Sequence, residues 1–446
     1  MGENMNKYNV KRKIVPVCLL ILLLQTSMFS AIAIKQNNIS DKELPDPISI
    51  DMILETTICR RMSVRQFTDE PVSEETLSTI LWSAFGLRED KTLTISKIND
   101  IHAAVIYVFT QEALYTYDPI NHSLVVYKEG DFRDDIDIMQ YEAPIQIGLC
   151  WNTTKATANQ AGIELGQIGQ NIQFSANALD LGTVVTGQIP PAIDPVGIPE
   201  DQEGLIIMPL GHPSTPYDFN NKPLWISPLP KIQESSTTLS EALINRNNGE
   251  AFQGTLTDQE FSQIIWSSYG FSKYIDKSEQ EPIHLRRHRT VPSAHGYYPL
   301  DIFVVTQDGI YEYYPNLLTT LLSSVFQITT APVDFFGLPI ITFVKQISQE
   351  DVRENIAFQL DDPGIATSPL FLVPCLNLEK AKELSIESAK RFWYYEAGAV
   401  AHNVLLESTA WDLQSKICYP IDENAIQSSL ELPEEIIPLL LLPIGS

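Results

Sequence analysis

Apolar residues recur along this chain at helical spacing in some stretches and as short β-rich runs in others, and the same succession of stretches occurs twice. Pro71 to Gly86 (PVSEETLSTILWSAFG) and Thr255 to Gly270 (TLTDQEFSQIIWSSYG) are offset by 184 residues. Each reads as a helix opened by a Ser or Thr cap with acids in the first turn. Ile106 to Pro119 (IYVFTQEALYTYDP) and Ile302 to Pro315 (IFVVTQDGIYEYYP), offset by 196, read as an apolar strand, a turn and a second, tyrosine-bearing strand. Gly166 to Leu181 and Gly398 to Leu413 share Gly, Asn, Ala and an Asp-Leu ending at an offset of 232, and their small, apolar residues predict helices packed at a domain centre. Ile207 to Gly211 (IMPLG) and Leu441 to Gly445 (LLPIG) close each series at 234. Four blocks in one order define a tandem duplication.

The growth of the offset from 196 to 232 places about 36 additional residues in the second copy, within Leu317 to Lys390. With Asp334-Phe335-Phe336-Gly337 near its middle, this stretch reads either as a lid over a groove or as a surface excursion with its own small core. Pro213, Pro216, Pro223, Pro228 and Pro230 crowd the join between the copies, so residues 213–236 read as a linker. The element order predicts an α+β fold: two domains, 46–212 and 237–446, each with helices packed on a mostly antiparallel sheet.

The N-terminus breaks this pattern. Lys7, Lys11, Arg12 and Lys13 precede the apolar run Ile14 to Leu24, and Ala31-Ile32-Ala33 follows at cleavage spacing. Residues 1–34 therefore read as an export signal peptide or, carried through Gln25, Thr26 and Ser27 to Ile34, as an uncleaved membrane anchor. The positive flank puts the bulk of the chain outside the cytoplasm in either case.

Composition narrows the function classes. A chain of 446 residues is too long for one ordinary core. Its 56 acidic against 30 basic residues repel nucleic-acid phosphates, which excludes a nucleic-acid role. Cys59, Cys150, Cys375 and Cys418 are scattered without paired spacing, which argues against zinc. One or two disulfides are open to an exported chain, although small buried thiols are the preferred reading.

Chemistry concentrates in two segments. Arg61-Met62-Ser63-Val64-Arg65-Gln66-Phe67 alternates two guanidinium forks with a hydroxyl, a donor set suited to a phosphate dianion. With Glu70-Pro71-Val72 and the tryptophan-bearing helix after it, this segment resembles the N-terminal signature of the nitroreductase family. That resemblance implies an FMN cofactor, with Arg61, Met62, Ser63 and Arg65 at its phosphate and ribityl chain. Leu181-Gly182-Thr183-Val184-Val185-Thr186-Gly187 resembles the family's turn against the isoalloxazine ring, which makes Thr186 and Gly187 candidates for that edge. The second copy has Arg246-Asn247-Asn248-Gly249-Glu250 in place of the phosphate segment, and the added acid would repel a dianion. It carries instead Arg289-Thr290-Val291-Pro292-Ser293-Ala294-His295-Gly296, similar to a segment of the SagB-type dehydrogenases of the same family, which implies cofactor contacts from Arg289, Pro292, Ser293 and Ala294. The first copy shows only Thr92-Leu93-Thr94-Ile95-Ser96 there.

The losses are complementary, so the resemblance implies an intrachain pseudo-dimer: one FMN per chain between the copies, no need for a homodimer, and a monomer as the working unit. His295 stands where the SagB-type pattern has Gly, which makes it a candidate proton donor, with a structural histidine the plainer alternative. The basic run His284, Arg286, Arg287 and His288 is either a docking patch for NAD(P)H phosphates or an acidic substrate, or a solvated face. No metal is assigned, and Lys222 is the lone basic residue after the last strand of the first copy. The implied function is two-electron, hydride-type transfer through flavin to a small-molecule or peptide-derived substrate, with the electron donor open. The rival reading is a flavin-free, non-enzymatic binding module for a peptide or partner on the same fold.

Overall fold

A computed structural model describes residues 39–136, 141–187, 193–215, 217, 224–274, 287–318, 320–321, 339–381, 384, 389–419 and 422–446. The leader lies outside the described residues, as do Lys222, His284, Arg286 and the Asp334 to Gly337 segment. No described helix is long and apolar enough to cross a membrane. Residues Asp41–Ser446 form one compact unit.

Each copy begins with two helices, and all of them but Leu54–Arg60 are opened by a side-chain cap. In the first, α1 (Leu54–Arg60) precedes α2 (Glu74–Phe85), whose N-cap Ser73 accepts from the Thr76 amide. The sheet strands follow as β1 (Ala104–Phe109), β2 (Ala113–Asp118), β3 (Ser123–Glu129) and β4 (Ile145–Asn152). The central helix α3 (Ala158–Ala178) is opened by a reciprocal capping box between Thr157 and Gln160, which satisfies two otherwise orphaned amides. Two short strands, β5 (Gly182–Thr183) and β6 (Thr186–Gly187), and the long β7 (Gln202–Gly211) close the copy.

The second copy repeats this order. Helices α4 (Leu239–Asn245) and α5 (Asp258–Tyr269) carry capping boxes at Thr238/Glu241 and Thr257/Glu260. After the ribbon β8 (Phe271–Tyr274) and β9 (Arg287–Arg289) come β10 (Leu300–Thr306), β11 (Gly309–Tyr314), β12 (Phe343–Ser348) and β13 (Leu370–Asn377). The second central helix α6 (Lys390–Ala410), β14 (Gln414–Ser415) and β15 (Leu442–Gly445) complete it.

The two sheets share one antiparallel order, β3-β2-β1-β4-β7-β5 and β12-β11-β10-β13-β15-β14, the first extended by the edge strand Lys42–Glu43 against β3. Their hairpin registers agree as well: Val108 pairs with Tyr115, and Val304 with Tyr311. The apolar-run pattern therefore marked the strands correctly, because buried sheet centres leave little room for register slip. The extra length falls between the hairpin and the central helix, largely within Leu317 to Lys390 as the offsets imply. That range contains β12 and β13, the counterparts of β3 and β4, and the extra length sits mainly between β11 and β12, where residues 315–342 replace 119–122. Its described end, Ile340–Ile341, pairs in parallel with Trp225–Ile226 of the linker. Among the described residues no disulfide links the cysteines; Cys150 and Cys375 are buried, and Cys59 and Cys418 are partly so.

The copies meet where α3 crosses α6. A Cβ added to Gly166 would sit 2.0 Å from the Tyr395 carbonyl oxygen, and one on Gly398 would sit 2.2 Å from that of Ile163. Only hydrogen at these positions allows the backbones so close. The seam also carries a reciprocal polar pair. Gln170 Nε2 donates to Asn403 Oδ1 at 2.8 Å, and the equivalent pair from the opposite copies, His402 Nε2 and Asn171 Oδ1, lies at 2.6 Å. Burial pushes His402 down to about 3, so this ring is neutral. Around the seam Ile50, Leu54, Ile58 and Phe174 of the first copy share one core with Leu239, Leu243, Trp266 and Leu406 of the second.

Glu407 in α6 is fully buried and accepts from Gln263 Nε2 at 2.7 Å. Burial, then the nearby Glu55 carboxylate, hold its pKa well above the ordinary carboxylate range. The folded state thus binds a proton that the unfolded chain releases, and stability is lost as pH rises from the unfolded pKa through the folded one. Glu407→Gln keeps an acceptor for Gln263. It is expected to stabilise the fold at pH 8 by about 1–3 kcal/mol and to change little near pH 4, read by thermal melts at both.

Candidate functional site

The first wall of the site is the segment leaving α1. Arg61 takes the C-cap position with φ −55 and ψ 120, which swings the chain from helical to extended. The Met62 amide then donates to Asn177 Oδ1 on α3 at 2.9 Å, and the Val64 amide to the Thr183 carbonyl at 2.9 Å. Val64 lies against Gly182, where a Cβ would come within 2.6 Å of its Cγ1. Ser63 and Arg65 are half-buried, and Met62 is buried.

Arg61 itself is buried at 2% exposure. Its Nε donates to the Arg289 carbonyl at 2.9 Å and its Nη1 to Gln173 Oε1 at 3.3 Å. Both acceptors are neutral. Desolvation, with repulsion from Arg65, lowers its pKa, and only Tyr298 and Tyr395 act the other way. Among the described residues no carboxylate pairs with this guanidinium. A buried cation without an anion is strongly unfavourable in a low-dielectric interior, so the arrangement calls for an anionic ligand.

The second wall comes from the other copy. Thr290 is fastened to both central helices, its carbonyl accepting from Gln170 Nε2 at 2.8 Å and Asn403 Nδ2 at 3.1 Å. Arg289 lies over three rings, with centroid distances of 5.0 Å to Tyr269, 4.7 Å to Phe271 and 4.4 Å to Tyr298. Beyond it Pro292 is buried, Ala294 is half-buried, and Ser293 Oγ accepts from the Tyr298 amide at 2.9 Å. This loop is tight: His295, Gly296 and Tyr298 have φ of 52, 67 and 49. The two non-glycine residues each cost about 1 kcal/mol there, strain of the kind that persists at functional loops. His295 is exposed and stacks on Tyr297 at 5.6 Å.

The floor holds polar groups that the residue pattern did not single out. Tyr395 and Glu396 of α6 and Gln173 of α3 are buried, and Tyr269 Oη donates to Glu396 Oε1 at 2.5 Å. Gln173 Nε2, Tyr395 Oη, Arg289 Nε and Glu396 Oε2 have no hydrogen-bond partner. The available signal was an acid inside the otherwise apolar and aromatic run Trp393 to Ala401, since such an acid is seldom there without a task. At the far corner Thr186 Oγ1 donates to the Ile207 carbonyl at 2.7 Å, and Gly187 lies against Phe392 of α6. Of the basic run, His288 is half-buried and only the backbone of Arg287 is described.

The pseudo-equivalent position is closed by protein. Arg246, the C-cap residue of α4, stands where Arg61 stands after α1. It donates to the carbonyls of Leu93, Thr94 and Ile95, to Ser96 Oγ and to Asn248 Oδ1. Burial and the neighbouring Arg88 push it down to about 9. Arg88 in turn donates to the carbonyls of Leu243, Ile244 and Arg246. Five bonds exhaust the donors of Arg246, whereas Arg61 makes two. A separate cavity of about 670 Å³ on the outer side of the first copy, lined by Lys42, Tyr115, Arg133, Tyr141 and Gln146, touches none of the residues above.

The sequence profile of the nitroreductase family matches residues 58–212 and 253–446, well over half of the chain and both copies. The chain belongs to the nitroreductase family. A Methanocaldococcus jannaschii protein provisionally named a nitroreductase is 28% identical over 225 residues, covering 49% of this chain and 94% of that protein. A crystal structure from Anabaena variabilis, described provisionally as a nitroreductase, superposes with a TM-score of 0.63 at 14% identity. It covers 92% of this chain and 94% of its own, so the two share the whole two-copy fold. One from Ralstonia eutropha, similarly described, covers 40% of this chain and 92% of its own at 22% identity and a TM-score of 0.37. This nitroreductase-family chain therefore has an oxidoreductase fold in both halves, joined in one body.

Proposed function

We propose that this chain is an FMN-dependent oxidoreductase with one composite flavin site per chain, built from the Arg61–Arg65 segment of the first copy and the Arg289–Ala294 segment of the second. The observation that carries this reading is Arg61: buried, lacking a carboxylate partner, and reaching across the copies to the Arg289 backbone. The donor set fits the phosphate of FMN. Arg61, Ser63 and Arg65 present guanidinium and hydroxyl donors to it, and the orphaned Gln173 Nε2 and Tyr395 Oη lie beside them. Pro292, Ser293 and Ala294 would face the ring from one side and the Thr186-Gly187 backbone from the other. Arg246 and Arg88, occupied by main-chain carbonyls and by the side chains of Ser96, Asn248, Thr92 and Asp90, leave the mate position no phosphate seat.

When bound, FMN supplies the two-electron chemistry that protein side chains lack. The chain positions it, excludes water and manages protons. Arg61 and Arg65 hold the anionic end, Arg289 is kept rigid by its three aromatic neighbours, and His295 stands exposed at the loop as a candidate proton donor. We assign the electron donor as NAD(P)H or another carrier, and the acceptor as a small-molecule or peptide-derived substrate. By the reading of residues 1–34, the working domains lie outside the cytoplasm, exported or membrane-anchored, and act as a monomer.

Releasing and quantifying flavin from purified protein tests this. One flavin per chain is expected, with Ser293→Ala weakening its binding by about 1–3 kcal/mol. Two per chain would reopen the mate site. A chain that stays colourless after incubation with FMN would instead support the binding-module reading.

A further inference from the structure

Beneath the Ser293 loop lies a closed cluster with a charge to place. Glu396 is wholly buried in α6; its Oε1 accepts the Tyr269 hydroxyl at 2.5 Å, and its Oε2 has no hydrogen-bond partner. Tyr269 Oη accepts the Leu300 amide at 3.3 Å, so its own proton is committed to Glu396. The groups that act on the carboxyl come from three directions: Tyr269 on α5, Ser293 in the loop, and Arg289 on β9. Arg289 is held over three aromatic rings instead of on the acid. Ser293 Oγ, having accepted the Tyr298 amide, keeps one O–H to give.

We infer that Glu396 is a positioning residue that couples ligand capture at Ser293 to proton uptake, a proposal that rests on the reading above of Ser293 as a flavin contact. When Glu396 is ionised, its empty Oε2 draws the Ser293 O–H inward, and the hydroxyl cannot donate to a ligand. When Glu396 is protonated, the acid donates to Ser293 Oγ and the Ser293 O–H turns outward. The proton taken up stays on Glu396, and Tyr269 and Arg289 do not change state. Burial pushes Glu396 up to about 7, partly offset by Ser293, Tyr269 and Arg289, so the exchange falls at neutral pH.

The test is the affinity of the full chain for FMN, followed by quenching of flavin fluorescence between pH 5.5 and 8.5. In the native chain the Kd is expected to rise with pH above about 7, approaching tenfold per unit. Glu396→Gln, which mimics the neutral acid, is expected to bind about as tightly as the native chain at pH 6 and at least tenfold more tightly than it at pH 8.5. The phosphate's own titration is common to both proteins, so their difference isolates Glu396. Tyr269→Phe removes a donor that favours the ionised form and is expected to move the midpoint upward, an independent check if Glu396→Gln folds poorly. Ser293→Ala is expected to bind weakly without the neutral-pH step. FMN bound with the same pH dependence in native, Glu396→Gln and Tyr269→Phe chains overturns this inference alone. No binding at any pH in any of them overturns the flavin reading, and this one with it.

Discussion

Replacing Arg61 with alanine is expected to strip the flavin from the purified chain while the apo-protein still folds. The guanidinium is buried, bonded only to the neutral Arg289 carbonyl and Gln173 amide, and placed beside a second cation, Arg65. A phosphate dianion would convert that unfavourable charge into a charge-assisted pair, each such bond contributing about 1.5–3 kcal/mol. Losing two of them weakens FMN binding by about 100-fold to 10,000-fold. Without the ligand the same substitution removes an uncompensated buried charge, so the thermal midpoint of the apo chain should change far less than FMN affinity does. Arg61→Lys should recover little, because an ammonium cannot serve the Arg289 carbonyl, Gln173 and a phosphate together from one planar fork. The measurement is an FMN titration alongside apo melts for each variant. Native affinity in Arg61→Ala would show that the anion is held elsewhere.

A larger structural effect is expected from Gly166→Val. The added Cβ would fall 2.0 Å from the Tyr395 carbonyl oxygen, against backbone that cannot rotate away as a side chain can. Both partners are 21-residue central helices, and moving them apart would break the Gln170–Asn403 and Asn171–His402 pairs together. Overpacking costs about 1–3 kcal/mol where a core can adjust, and values above about 4–5 kcal/mol arise where it cannot. Loss of soluble protein, or collapse of the near-ultraviolet circular dichroism, is the expected result. Native stability in this variant would mean that the copies do not pack through this crossing. The proposed flavin site is expected to suffer as well, since Tyr395 and Glu396 lie on the turn of α6 that Gly166 touches.

The architecture was legible in the residue order because its determinants are local. Caps at Ser73 and Thr257 announce their helices within a few positions, and the Val108/Tyr115 and Val304/Tyr311 registers follow from apolar runs on either side of a turn. Duplication then doubled each signal. The site was legible only in halves. Arg61 and Ser293 stood out by resemblance and residue type, but the contact between Arg61 and Arg289 spans 228 positions.

What the chain alone determined, then, is two copies of one α+β unit, an acidic surface and two candidate segments with complementary losses. Tertiary structure decided that Arg61 meets the Arg289 backbone, that Arg246 is consumed by carbonyls and the Ser96 and Asn248 side chains, and that Glu396, Tyr395 and Gln173 are buried. The reason is physical: helix caps and strand alternation are encoded by neighbours in sequence. By contrast, the burial of a charge, the emptiness of a carboxylate oxygen and the approach of two backbones at Gly166 and Gly398 exist only once distant segments exclude water from one another.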